Sequence, residues 1–307
     1  MDGIVLIDKP QGATSHDIVS RLRIILNLKR VGHYGTLDPL ATGLLLLAVG
    51  KATKLFPLFS KENKLYSGQI RLGFSTDTYD ALGKPDSEES SAYPDRKTLA
   101  EAMKAFVGKK EQVPPPYSAK KLDGKPLYKW ARAKKMIFLK PSPVVIHSFE
   151  LKGYSPPFLN FESRCSSGTY IRSLAHDLGL YLACGAHLTG LRRLAVGGYE
   201  IASSHSLEDV ERLAQDDRAA EFILPLETLL QEFPKIILKE SGVRELQKGK
   251  AMPTEHIHRV LDPTPALRLG DKDGDEIYRL FSLEGKFLAL AKKSLAGMGL
   301  IPFLILS

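Results

Sequence analysis

A continuous apolar run, Ile4-Val5-Leu6-Ile7, follows Gly3 at the start of the chain and predicts a strand. A second run, Leu44-Leu45-Leu46-Leu47-Ala48-Val49, predicts a strand buried on both faces. Between them the period changes. Ile18, Val19, Leu22, Ile25 and Leu26 fall on one helical face, and Thr14 or Ser15 can cap that helix. Lys9-Pro10-Gln11-Gly12 reads as a turn, and 28–43 has no period and reads as a loop. A helix is predicted near 51–61, a strand over 64–73, a polar loop over 75–94, and a helix from Asp95 through Val107. Strands at 144–154 and 157–165 flank Pro156-Pro157. A helix over about 170–182, strand-like stretches over 187–203 and a helix from Ser206 follow. After Phe233-Pro234 the texture becomes short strands and turns, at 271–275, 284–285 and 296–299. This divides the chain into a large unit, 1–232, and a small β-rich unit, 233–307. Strands and helices mix without a regular βαβ rhythm, so the fold class is α+β with a mixed, mostly antiparallel sheet. No internal repeat is visible.

Composition and charge narrow the function. Apolar residues make up 43% of 307, enough for a sizeable core and against global disorder. No signal peptide and no apolar run of membrane-spanning length are visible, and two cysteines at unrelated spacings fit free thiols, so a cytoplasmic location is expected. The net charge is +8, but 104–140 holds eleven Lys/Arg against two acids. That stretch therefore carries +9 and the rest of the chain −1. Basicity gathered in one stretch, with Tyr117, Tyr128, Trp130 and Phe138 among the cations, points to a nucleic acid. Pro114-Pro115-Pro116 makes a stiff spacer within it. A solvated surface insertion is the plainer alternative.

The chemistry must come without the usual signatures. There is no phosphate-binding Gly-x-x-x-x-Gly-Lys loop, no Gly-x-Gly-x-x-Gly after a strand and no Gly-x-Ser-x-Gly elbow. His33, Asp38, Asp77 and Asp80 match no standard metal spacing, so no metal or other cofactor is expected. Asp38 precedes Pro39, which biases it towards extended backbone and into a cleft. Read locally, it is first an Asx-Pro turn residue. His33 is by default a turn or core histidine. Tyr66 alternates with apolar neighbours like any strand aromatic. Tyr170 and Arg172 fall in the first turn of a helix, where an arginine can hold a carboxylate or phosphate; the alternative is a packed tyrosine and a surface arginine.

Six blocks in order give the pattern its specificity: Lys9-Pro-Gln-Gly-Ala-Thr-Ser15; Gly32-His-Tyr-Gly-Thr-Leu-Asp-Pro-Leu-Ala-Thr-Gly43; Lys64-Leu-Tyr66 with Arg71-Leu-Gly73 and Thr76-Asp-Thr-Tyr-Asp80; Pro115-Pro-Tyr-Ser-Ala-Lys120 with Gly124 and Tyr128; Ser167-Gly-Thr-Tyr-Ile-Arg-Ser173; and Gly185-Ala-His-Leu-Thr-Gly-Leu-Arg-Arg193. Together, over 3–200, they resemble the TruB family of tRNA pseudouridine-55 synthases in its stand-alone bacterial form. Residues 235–307 look like a small RNA-binding PUA β-barrel, although the final strand departs from the common ending. Tyr34, at an often small position, and Lys134, at a usual glycine, depart as well.

The resemblance implies an isomerase that turns uridine 55 of the tRNA T loop into pseudouridine. The base must be flipped into a pocket, and no cofactor is consumed. It assigns Asp38 as the catalytic carboxylate, acting as nucleophile or as promoter of glycosidic cleavage. Arg172 would pair with Asp38 and aim it. Tyr66 would stack on the flipped base and is the candidate acceptor of the C5 proton. Tyr170 would line the pocket, Leu191 would touch the uracil through its backbone, and His33 would fill the gap in the RNA stack. Lys9 and Asp80 match positions near the site. The basic insertion, with Lys120, Lys121, Lys134 and Lys135, would grip the T arm, and the PUA-like unit would reach the acceptor end. A monomer bound to tRNA, with no membrane and no obligate protein partner, is expected. Two rivals stand beside it: a dyskerin-like synthase guided by box H/ACA RNA, and an RNA-binding protein or tRNA-folding chaperone.

Overall fold

The computed structural model describes residues 1–118, 121–122, 125–126 (backbone alone for these two pairs), 139–261, 276–293 and 299–306. Two larger sheets organise them. The first has ten strands: β1 (Gly3–Lys9), β2 (Val31–Tyr34), β3 (Thr42–Val49), β4 (Lys64–Leu72), β5 (Gly108–Gln112), β8 (Ser142–Ser155), β9 (Phe158–Cys165), β10 (Ala186–Val196), β11 (Tyr199–Glu200) and β12 (Ile223–Pro225). A hairpin of β6 (Lys121–Leu122) and β7 (Lys125–Pro126) stands apart. The strand order is β12-β1-β3-β10-β4-β9-β8-β5, with β2 on β3 and β11 on β10. Within this sheet, among the described residues, only β3 and β10 pair in parallel, so it is mixed and mostly antiparallel as expected.

The second sheet, in order β14-β13-β15-β16-β17, comprises β13 (Lys235–Leu238), β14 (Ile257–Leu261), β15 (Ile277–Phe281), β16 (Phe287–Lys293) and β17 (Leu300–Ile305). Six α-helices complete the described residues: α1 (Ser15–Leu26), α2 (Phe56–Phe59), α3 (Arg96–Ala105), α4 (Ile171–Tyr181), α5 (Leu207–Gln215) and α6 (Glu240–Gln247).

The uninterrupted apolar runs have a two-sided explanation. Val5, Ile7, Leu45, Leu47 and Val49 face a core shared with α1, α3, α4 and α5. Their neighbours Ile4, Leu6, Leu44, Leu46 and Ala48 face the opposite way, onto Phe59, Leu226, Leu229 and the second sheet's Ile277, Phe281, Phe287 and Leu290. Alternate residues of a strand point to opposite faces, so a strand covered on both sides loses its polar alternation. Each such Val, Leu or Ile side chain contributes roughly 1.5–3 kcal/mol by burial. Polar contacts hold the second sheet to its surroundings as well: Lys54 donates to Ile305 O at 2.8 Å, and Arg279 donates to Leu229 O and Phe233 O, each at 3.0 Å.

The helix starts follow the capping residues. Thr14 and Asp17 form a reciprocal capping box on α1, Asp95 accepts from Thr98 N at 2.8 Å, and Ser206 accepts from Asp209 N at 3.0 Å. Several elements differ from the local reading. The stretch 28–43 contains β2, whose Val31–Tyr34 pair with Val49–Leu46 of β3; a partner distant in sequence supplies the ladder. Instead of one helix over 51–61 there is a 3₁₀ turn, Gly50–Leu55, and then the single turn α2, because Pro57 brings no N–H to a longer helix. The strand-like 187–203 is β10, a Gly197-Gly198 turn, β11 and a 3₁₀ turn. Strands β5, β12 and β13 and helix α6 carry no clear local signal. Because β5 belongs to the sheet, the basic stretch departs from it only after Gln112, and the chain rejoins the sheet at Ser142.

Candidate active site

The hairpin β2–β3 builds the site. Its connection, 35–41, leaves β2 on the edge of β3 that β10 also occupies, and Asp38 sits in that connection. Four contacts fix it. Ser15 Oγ accepts from Leu37 N at 2.8 Å and donates to Leu37 O at 3.0 Å. Gly12 N donates to Pro39 O at 2.8 Å, and Ala41 N to Asp38 O at 3.0 Å. These bonds give the Lys9–Ser15 block its purpose. Lys9 itself is fully buried and donates to Pro10 O and Ala13 O at 2.9 and 2.7 Å, which folds its own turn. Burial pulls the Lys9 ammonium below its ordinary value, against the attraction of Asp38.

Arg193, only 1% exposed, fastens both ends of the same connection. Its Nε donates to Leu44 O at 2.7 Å and its Nη2 to Gly35 O at 3.1 Å. The β10 backbone presses so close at this point that a Cβ on Gly43 would lie 2.4 Å from Arg193 O; at φ +101° the position suits glycine twice over.

Asp38 opens onto a cavity of about 260 Å³, lined also by Lys64, Tyr66, Tyr170, Arg172, Leu191 and Arg193. Arg172 comes from the start of α4. Its Nε lies 2.9 Å from Asp38 Oδ2, an ion-pair distance without the alignment of a hydrogen bond. Nη1 donates to Thr78 O at 3.0 Å and Nη2 to Tyr117 O at 2.9 Å. Asp80 stands 3.6 Å from Nη1 through Oδ2, while its Oδ1 accepts from Thr78 Oγ1 at 2.7 Å and Leu82 N at 3.0 Å. One buried guanidinium thus joins three segments distant in sequence. The Arg172 side chain is 6% exposed and that of Asp38 40%, so the cation is fixed while the carboxylate stays accessible.

Tyr170 is the N-cap residue of α4, and its backbone is clamped by Gln112, which accepts from Tyr170 N at 2.8 Å and donates to Tyr170 O at 3.0 Å. Burial pushes the Tyr66 and Tyr170 phenols up from their ordinary value. Around the cavity the lining charges are Lys64, Arg172 and Arg193 against Asp38 alone. Such a surplus of fixed positive charge favours a guest on which negative charge accumulates.

The structure brings Asp38, Tyr66, Tyr170, Arg172 and Leu191 together, with Asp80 behind Arg172. His33 lies on β2 outside the cavity lining. Its Nδ1 is buried without a hydrogen-bond partner, and burial, then the charge of Arg193, lowers its basicity. Tyr34 points to the opposite face. It is 1% exposed, stacks on Phe59 at 4.9 Å between centroids and donates its hydroxyl to Ala52 O, so its bulk does not crowd His33. Lys120, Lys134 and Lys135, and the Lys121 side chain, lie outside the described residues. Arg193, Lys64 and Gln112 were missed as site residues. Arg193 left one signal, a second consecutive arginine followed by the apolar strand end Leu194-Ala195-Val196.

Comparison with known proteins gives the family. Residues 23–171 match the family model "TruB family pseudouridylate synthase (N terminal domain)", and 172–231 match "tRNA pseudouridylate synthase B C-terminal domain". The tRNA pseudouridine synthase B of Solibacter usitatus is 42% identical over 82% of this chain and 86% of its own. That of Geotalea uraniireducens is 40% identical over 97% and 93%. Among solved structures, the archaeal box H/ACA sRNP Nop10–Cbf5 complex aligns over 99% of this chain and 86% of that one, with a TM-score of 0.72 and 24% identity, a likeness of fold. With relatives this similar over most of their length, the chain belongs to the TruB family of pseudouridylate synthases.

Proposed function

We propose that this enzyme isomerises uridine to pseudouridine at position 55 in the T loop of tRNA, with Asp38 as its catalytic carboxylate. The observation that carries the reading is an accessible aspartate, held at 2.9 Å by a buried arginine, in a cavity walled by two tyrosines. In the reaction the N1–C1′ bond breaks and a C5–C1′ bond forms; C5 loses a proton and N1 gains one. The change is redox-neutral and consumes no energy carrier. Asp38 attacks the nucleoside or promotes departure of the base. The base leaves bearing negative charge, which the cationic lining from Lys64 and Arg193 favours.

Tyr66 stacks on the flipped uracil and takes the C5 proton as its own phenol proton passes on to solvent, Tyr170 encloses the base, and the Leu191 backbone meets its edge. His33, on the hairpin beside the cavity, fills the space the base vacates. Arg172 aims Asp38; Asp80 holds Arg172, and Lys9 holds the turn beneath. The basic insertion grips T-arm phosphates, and residues 233–307, as a PUA-like unit, contact the acceptor end. The enzyme works as a cytoplasmic monomer without an obligate partner protein. The relatives' names and the +9 charge of 104–140 support tRNA as the partner. The test is incubation with an unmodified tRNA transcript followed by chemical mapping of pseudouridine. Product at a single T-loop uridine is expected; product elsewhere, or none, would overturn the assignment.

A further inference from the structure

Tyr79 is strained. Its φ is +63°, a left-handed conformation unfavourable for a bulky side chain, which persists only where the surroundings impose it. Four features impose it here. Its ring lies flat on His176, with centroids 3.8 Å apart and planes 9° apart. Its N–H donates to Thr76 O at 3.0 Å, and its carbonyl accepts from Leu188 N at 3.1 Å. Ala81 N returns to Leu188 O at 2.9 Å, tying this loop to β10, the strand that carries Leu191.

The neighbours of Tyr79 show what the strain serves. Thr78 supplies the carbonyl that receives Arg172 Nη1, and Asp80 supplies the second carboxylate near it. His176 is four residues beyond Arg172 on α4, and positions four apart share a helix face. The stack therefore joins the loop that grips Arg172 to the helix that bears it. His176 gives up polar satisfaction for this packing: its Nδ1 is buried with no hydrogen-bond partner, and burial keeps the ring towards its neutral form.

We propose that Tyr79 and His176 are positioning residues, a stacked latch that sets the distance between Arg172 and Asp38. The inference rests on Asp38 and Arg172 acting as proposed above, and its test separates the two ideas. Turnover of unmodified tRNA is measured for the wild-type enzyme and for Tyr79→Phe, Tyr79→Gly, His176→Phe and His176→Ala, together with melting temperature. Hydrogen exchange of the Ala81 and Leu188 amides is followed in His176→Ala, a readout that needs no activity.

The phenylalanine variants keep a flat ring in place and are expected to retain kcat within about twofold. Tyr79→Gly relieves the strain but removes the stack. Its kcat is expected to fall at least tenfold at a temperature where the variant is folded, with KM for tRNA within twofold. Exchange at Ala81 and Leu188 is expected to quicken at least tenfold in His176→Ala. Wild-type kcat in the folded Tyr79→Gly enzyme, a loss that appears in KM, or unchanged exchange would overturn the latch. A wild-type enzyme that makes no pseudouridine would instead overturn the functional reading, and the exchange result would then decide the latch alone.

Discussion

Arg172 gives the sharpest handle on the site. In Arg172→Met the volume stays and the charge goes. Thr78 O and Tyr117 O lose donors at 3.0 and 2.9 Å, and Asp80, buried with a side chain 6% exposed, loses its cation. Asp80 still accepts from Thr78 Oγ1 and Leu82 N, which limits the damage. Removing one member of a buried pair costs about 3–5 kcal/mol, a large part of the roughly 5–15 kcal/mol that a folded chain has in hand. The variant should therefore fold at low temperature and melt early.

The effect on rate comes from Asp38. Unit charges 4 Å apart attract by about 4 kcal/mol at an effective dielectric near 20. Asp38 is 40% exposed, so solvent screening reduces this to about half. At 1.36 kcal/mol per decade, kcat should fall by about thirtyfold, up to about a thousandfold without the discount. Arg172→Lys keeps the charge but not the three-way reach of the guanidinium, and should lie between. The assay is single-turnover pseudouridine formation on tRNA transcript at a temperature where circular dichroism shows each variant folded. A folded Arg172→Met enzyme with kcat within threefold of wild type would refute the role given to this pair.

Other outcomes follow from the same geometry. Asp38→Asn should abolish product yet keep tRNA affinity, with a fall in melting temperature smaller than that of Arg172→Met because Asp80 and the carbonyls of Thr78 and Tyr117 still hold Arg172; gel-shift and melting assays beside product mapping check this. Neutralising Lys120, Lys121, Lys134 and Lys135 should weaken tRNA binding and flatten its salt dependence, and identical binding isotherms over a salt series would contradict it. Burial pushes the Asp177 carboxyl up to about 6. A raised carboxyl favours the fold while protonated, and its ionisation destabilises the fold as pH climbs from about 4, the unfolded value, to above 6. Asp177→Asn should thus leave stability unchanged at pH 4 and raise it on the order of 1 kcal/mol at pH 8, a difference readable from denaturant midpoints. Cys165, fully buried and with its thiol pushed up to about 11, should resist alkylation at pH 8 until the protein is denatured; rapid labelling of the native enzyme would contradict this.

Strands such as β1 and β3 were legible because burial on both faces leaves an uninterrupted apolar run, and α1, α3 and α5 because their capping side chains announce them. The ordered blocks identified the family and named Asp38, Tyr66, Tyr170 and Arg172 before any contact was known. Local pattern alone made Asp38 a turn residue, and in part it is one: Pro39 O receives Gly12 N, and that bond helps hold the connection.

What the sequence by itself determined was composition: the two-sided core strands, the concentrated charge and the residues available for chemistry. The tertiary structure decided their pairing. Strand β2 exists because β3 offers it a ladder, and β5 became a sheet strand by pairing with β8. Asp38 lines the candidate site beside Arg172, which is far along the chain yet reaches it from the start of α4, while Arg193 pins both ends of its loop. Periodicity reports the faces of one element. Ion pairs and ladders between distant segments leave no local period, and the site is built from those.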